Sequence, residues 1–134
     1  MKAVYLDTRV PSQYLNKKAK AKKVIDEFQQ QGFDVYTTTI NVTEFFMGLY
    51  KVREASTAEL EKLKDFFFTL HPFGVDYETA LVAGKLFASL LKGKAIGWRD
   101  TFIAAIVLQH GSTIVTSNAD HFKRVSGLTV VEYR

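Results

Sequence analysis

Short runs rich in β-branched and aromatic residues recur along this chain, and a stretch with helical spacing separates each from the next. The runs are 2–6, 33–39, 71–75 around Pro72, 112–116 and 128–133. Between them apolar residues fall three or four apart, as in Leu60, Leu63, Phe67 and Leu70. Strands that alternate with helices are joined by crossovers rather than hairpins, so they form a parallel sheet covered on both faces. The expected fold is α/β: a single three-layer domain over 1–134, with a central, mainly parallel sheet flanked by helices.

The first helix is expected from about Pro11, whose missing N–H costs nothing in a first turn, through Val24, Ile25 and Phe28 to Gly32. A second opens at Asn41, whose spacing to Glu44 fits a capping box, with Phe45, Leu49 and Val52 facing inward. Further helices are expected from Thr57 to Thr69, from about Tyr77 to Leu91, and from Arg99 to His110, which Gly111 closes. Asn118 is expected to cap a short helical turn. At 134 residues, with 47% apolar side chains, the chain is one domain's worth with material for a packed interior.

Composition removes several function classes. With no cysteine there is no disulfide framework, thiolate nucleophile or thiolate metal site. The apolar stretch 80–91 is interrupted by Lys85 and falls short of the ~20 residues a membrane-spanning helix needs. The N-terminus reaches Asp7 too soon for a signal peptide, so a cytoplasmic location is expected. A net charge of +4 is compatible with an anionic partner without demonstrating one. Lys17, Lys18, Lys20, Lys22 and Lys23 read either as a solvated helix start or as phosphate contacts.

Ligands of an open parallel sheet bind beyond the carboxyl ends of its strands. Asp7, Glu44, Asp100 and Asn118 are all expected there, after a strand or early in a helix. Each also has a structural explanation: Asp7 and Asn118 as caps, Glu44 completing a capping box, Asp100 complementing a helix dipole. Three converging carboxylates, however, repel one another and lose hydration, and a divalent cation relieves both costs. Oxygen-only ligands favour Mg²⁺, with Mn²⁺ as a substitute, and such an ion activates water and offsets charge on a phosphate. His71, His110 and His121 are too widely spaced for a zinc motif, and no GxSxG elbow, P-loop or GxGxxG is present. His110 reads as a helix-terminus residue and His71 as a strand residue; His121 is kept as a site candidate for its nearness to Asn118.

The same positions resemble PIN domains. Tyr5-Leu6-Asp7-Thr8 is similar to the family's first motif, Ile40 to Gly48 with Glu44 to its second, Ala95 to Ala105 with Asp100 to its third, and Val115 to Phe122 followed by Gly127-Leu128 to its fourth. The resemblance implies a Mg²⁺-dependent endoribonuclease with Asp7, Glu44 and Asp100 as metal-binding catalytic residues and Asn118 at the fourth position. In the VapC-like branch it also implies an RNA substrate, a cognate antitoxin protein and a homodimer.

Two positions depart from the pattern. Arg9 stands where the family usually has Asn, and Asn118 replaces an acid, with Asp120 two residues on. Thr8 and Thr116 match small hydroxyl residues that position water or phosphate. Arg9 is expected to compete with the metal for the carboxylates rather than clamp a phosphate or lie in solvent. The homodimer is expected to use the helices from Asn41 to Leu70, where Phe46, Tyr50, Phe66 and Phe68 fall off the inner stripe. Two other readings compete: a PIN-like module that binds RNA or a partner but cleaves poorly, and a receiver-like regulatory domain. A receiver needs paired acids after strand one, where this chain has Asp7 alone.

Overall fold

Four parallel strands form the central sheet of the computed structural model, which describes residues 2–90 and 93–134. They are β1 (Lys2–Leu6), β2 (Phe33–Tyr36), β3 (Thr113–Thr116) and β4 (Thr129–Glu132), in the order β2-β1-β3-β4. Two helices, α1 (Arg9–Leu15) and α2 (Ala19–Gln30), connect β1 to β2. Four more separate β2 from β3: α3 (Thr39–Val52), α4 (Thr57–Thr69), α5 (Tyr77–Ser89) and α6 (Gly97–His110). A single turn, α7 (Ala119–Phe122), precedes β4.

Alternation along the strands divides the interior into two apolar layers, because successive side chains leave opposite faces of a sheet. Ala3, Tyr5 and Ile114 join one layer with Ile103, Ala104 and Val107 of α6 and Phe122. Val4, Leu6 and Val115 join the other with Val10, Ala21, Ile25 and Phe67. The three-layer α/β architecture expected from the strand–helix alternation is the observed one. Chain order in the sheet reverses beside β1, whose neighbours are β2 on one side and β3 on the other. A crevice therefore opens beyond the carboxyl ends of β1 and β3.

Several expected boundaries are corrected. The helix expected from Pro11 to Gly32 is two helices, broken where Lys17 takes φ 59°. Residues 71–75 do not form a strand; a lone bridge between Thr38 and Phe73 remains, and His71 has φ 43°. Helix α3 begins at Thr39 with Thr38 as its cap, and Val52 at its end is 81% exposed rather than inward-facing. Gly111 follows α6 as expected, and space requires a glycine there: a Cβ would lie 2.8 Å from Tyr5 Cε1 and 3.2 Å from the Ala3 Cβ. The expected helix end at Leu91 lies outside the described residues. Among the described residues no helix is long and apolar enough to cross a membrane.

Candidate active site

Asp7 follows β1 directly, and its backbone N–H donates to the Val115 carbonyl at 2.9 Å, holding it between β1 and β3. Its carboxylate meets neutral donors. Oδ1 accepts from the Thr8 N–H at 3.0 Å and the Asn41 amide at 2.7 Å, and Oδ2 accepts from the Thr116 hydroxyl. Burial pushes the Asp7 carboxyl above the ordinary carboxylate range. The bonds from Thr116, Thr8 and Asn41 pull it back, and the nearby Asp100 charge pushes it up again.

Asn41 is buried within the first turn of α3, and its amide also donates to the Thr8 hydroxyl at 2.9 Å. That hydroxyl donates to Glu44 Oε1. Asn41 and Glu44 are three positions apart, so both side chains leave the same face of α3 and meet the same crevice. The cap of α3 is Thr38, whose hydroxyl oxygen accepts from the Asn41 N–H at 3.1 Å. The capping box expected between Asn41 and Glu44 is therefore absent, and both side chains serve the crevice.

Asp100 lies in the first turn of α6, 3% exposed. Its Oδ2 sits 2.9 Å from the Asn118 amide and 2.8 Å from His121 Nδ1. The tautomer with Nδ1 protonated satisfies this arrangement, because imidazole and amide then both donate to the carboxylate. On the other side the Arg99 guanidinium contacts Glu44 Oε2 at 2.6 Å and Asp100 Oδ1 at 3.4 Å. The Asn118 backbone N–H donates to the Thr116 hydroxyl oxygen at 2.9 Å, which links the two aspartates' surroundings.

The contacts close on themselves: Asp7, Asn41, Thr8, Glu44, Arg99, Asp100, Asn118, Thr116 and back to Asp7. A cleft of about 280 Å³ opens on this ring, lined by Asp7, Thr8, Arg9, Ser12, Glu44, Arg99, Asp100, Ser117 and Asn118. Its oxygen-only acidic set suits a hard divalent ion, and among the described residues no ion pair reaches the Asp7 carboxylate. Among the described residues, no three acidic or imidazole side chains converge on one point as they lie. Arg99 holds Glu44 within the ring.

Residues 4–128 match the family model of the PIN domain. The chain belongs to the PIN-domain family. It is 32% identical over 103 residues to Ribonuclease VapC1 of Rickettsia felis, covering 72% of this chain and 74% of that protein. Against Ribonuclease VapC of Rickettsia bellii it is 33% identical over 102 residues, again 72% of this chain and 74% of the other. Its fold matches a chain in the crystal structure of VapBC2 from Rickettsia felis bound to a promoter DNA fragment, with a TM-score of 0.83. That match has 22% identity and covers 98% of this chain and 99% of the other.

Within this PIN domain, Asp7, Thr8, Glu44, Asp100, Thr116, Asn118 and His121 come together. Asn118 precedes α7 without a side-chain capping bond, since its amide serves Asp100. Asp120 is exposed, and among the described residues no hydrogen bond joins it to the ring. Arg9 lines the cleft but, among the described residues, forms no ion pair; Arg99 occupies the carboxylate-pairing role expected of Arg9. Sequence reasoning missed Arg99 and Asn41 as site residues. Direct adjacency to Asp100 and the i, i+3 relation to Glu44 are the signals that point to them.

Of the five clustered lysines, Lys20, Lys22 and Lys23 lie on α2 and Lys17 and Lys18 precede it. Lys22 pairs with Asp26 at 2.9 Å and Lys23 with Glu27 at 4.0 Å, both one turn along α2. Lys20 lies over the Tyr133 ring, 4.6 Å from its centroid.

Proposed function

We propose that this PIN domain is a Mg²⁺-dependent endoribonuclease, the toxin of a toxin–antitoxin pair. One observation carries the reading: three carboxylates from three separate elements line one cleft at the sheet's switch point, a cleft also walled by two arginines. The names of the sequence relatives, both ribonucleases, support RNA as the substrate. Asp7, Glu44 and Asp100 would hold the ion, with Mn²⁺ able to replace it. When bound, such an ion activates a water and offsets charge on the phosphate.

The chain's own residues supply position. Thr116 and Asn41 fix the Asp7 carboxylate, and Asn118 and His121 fix that of Asp100. Arg9 and Arg99 at the cleft wall suit an incoming phosphodiester. The likeness to a VapBC assembly supports an antitoxin partner. Exposed Tyr50 (57%), Val52 (81%) and Phe68 (76%) on α3 and α4 supply apolar surface for a homodimer or that antitoxin. A cytoplasmic location completes the proposal.

The test is cleavage of a single-stranded RNA panel with Mg²⁺, with and without EDTA. Wild-type protein should cut, chelation should stop it, and Asp7→Asn should abolish it. Cutting undiminished in Asp7→Asn would overturn the assignment.

A further inference from the structure

We propose that Arg99 is a built-in counter-ion of the carboxylate cleft: it offsets part of the negative charge of the metal-free site and is displaced from Glu44 when a divalent cation binds. The inference rests on the metal-dependent reading above. Its starting point is the awkward position of Arg99 in its own helix. It lies in the first turn of α6, beside the positive end of the helix dipole, where a cation is disfavoured. Helix stability therefore does not explain the residue. Its guanidinium instead crosses to α3, contacting Glu44 Oε2 at 2.6 Å while staying within 3.4 Å of Asp100 Oδ1.

Exposure shows which partner can move. The Asp100 side chain is 4% exposed and fixed by Asn118 and His121, whereas that of Arg99 is 52% exposed. Asp100 cannot leave the ring without abandoning buried donors; Arg99 can rotate outward into water and lose little. Charge gives the direction. Three carboxylates face one paired guanidinium, so the cleft remains net negative and attracts a divalent ion more strongly than it holds Arg99. Arg9 does not duplicate the role, because it forms no ion pair among the described residues. Displacement frees Glu44 to turn toward the ion and leaves the guanidinium at the cleft wall.

Mn²⁺ titrations of the full chain by calorimetry, with melting curves in EDTA and in saturating Mn²⁺, test this. Arg99→Gln should tighten Mn²⁺ binding about tenfold, the scale of losing one competing partly buried charge contact. The same variant should melt below wild type in EDTA and no lower than wild type in Mn²⁺. Arg99→Lys, which keeps the charge, should stay near wild type in both. Equal or weaker Mn²⁺ affinity in Arg99→Gln, with wild type binding normally, overturns the counter-ion role and leaves the metal site standing. So does a melting loss that Mn²⁺ does not repair. No Mn²⁺ binding in any of the proteins overturns both the inference and the metal-dependent reading.

Discussion

The two sides of the cleft solve the same electrostatic problem differently. Asp7 is surrounded by neutral donors from β1, α3 and β3, and its carboxyl is pushed upward by burial. Asp100, more deeply buried, has a guanidinium on one oxygen and an imidazole and an amide on the other. Neutral hydrogen bonds orient a carboxylate but only partly repay its lost hydration; a nearby cation repays more. The Asp7 carboxylate is thus met by neutral donors alone, while the Asp100 side already has a cation beside it.

The comparison predicts a common loss of function first. Asp7→Asn and Asp100→Asn should each reduce RNA cleavage about 100-fold or more, since each removes one of the three carboxylate charges. Initial rates on one RNA at fixed Mg²⁺ check this; a variant retaining near-wild-type rates would remove its residue from the site. Next in size is Asn41→Leu. It deprives Asp7 and Thr8 of a buried amide and should cost about 2–3 kcal/mol in metal-free denaturant unfolding. A loss below about 0.5 kcal/mol would mean that the neutral network is incidental.

The two aspartates should then differ in stability. The folded Asp7 carboxyl sits above its unfolded value, so the native state binds that proton more tightly. Its contribution is fully present below the unfolded carboxylate range and is lost as pH rises through the raised folded value. At neutral pH without metal, Asp7→Asn should therefore stabilise the fold and flatten this part of the pH dependence. Asp100→Asn should destabilise, because Arg99 and His121 lose their charged partner. Melting both variants in EDTA across the acid-to-neutral range decides it; shifts of the same sign would erase the contrast. The smallest expected effect is at Arg9. Unpaired in the ring, it should change Mn²⁺ affinity by no more than a few tenths of a kcal/mol as Arg9→Asn, and a larger tightening would restore it as the competing cation.

What could be read from the sequence was set by local periodicity and by strand ends. Alternating strands and helices led to the parallel sheet, and the sheet placed Asp7, Glu44, Asp100 and Asn118 at one rim. The break between α1 and α2 escaped because Asn16-Lys17-Lys18 contains neither Gly nor Pro, the residues that usually mark such turns. The strand expected around Pro72 failed because a proline-containing run with one bridge lacks a ladder to sustain it. Asn41 reads as a cap in the sequence because Asn is a good one, yet Thr38 supplies the cap and frees the amide for Asp7. Arg9 and Arg99 both lie close in sequence to an aspartate of the cleft; only side-chain direction separates them, and that depends on packing between α3 and α6.

Mn²⁺ titration calorimetry on wild type and on the triple variant Asp7→Ala, Glu44→Ala, Asp100→Ala tests the account most directly. Saturable binding in wild type with none in the folded triple variant is the predicted result. Mn²⁺ bound by the triple variant as tightly as by wild type would place the metal elsewhere and contradict the three-carboxylate site.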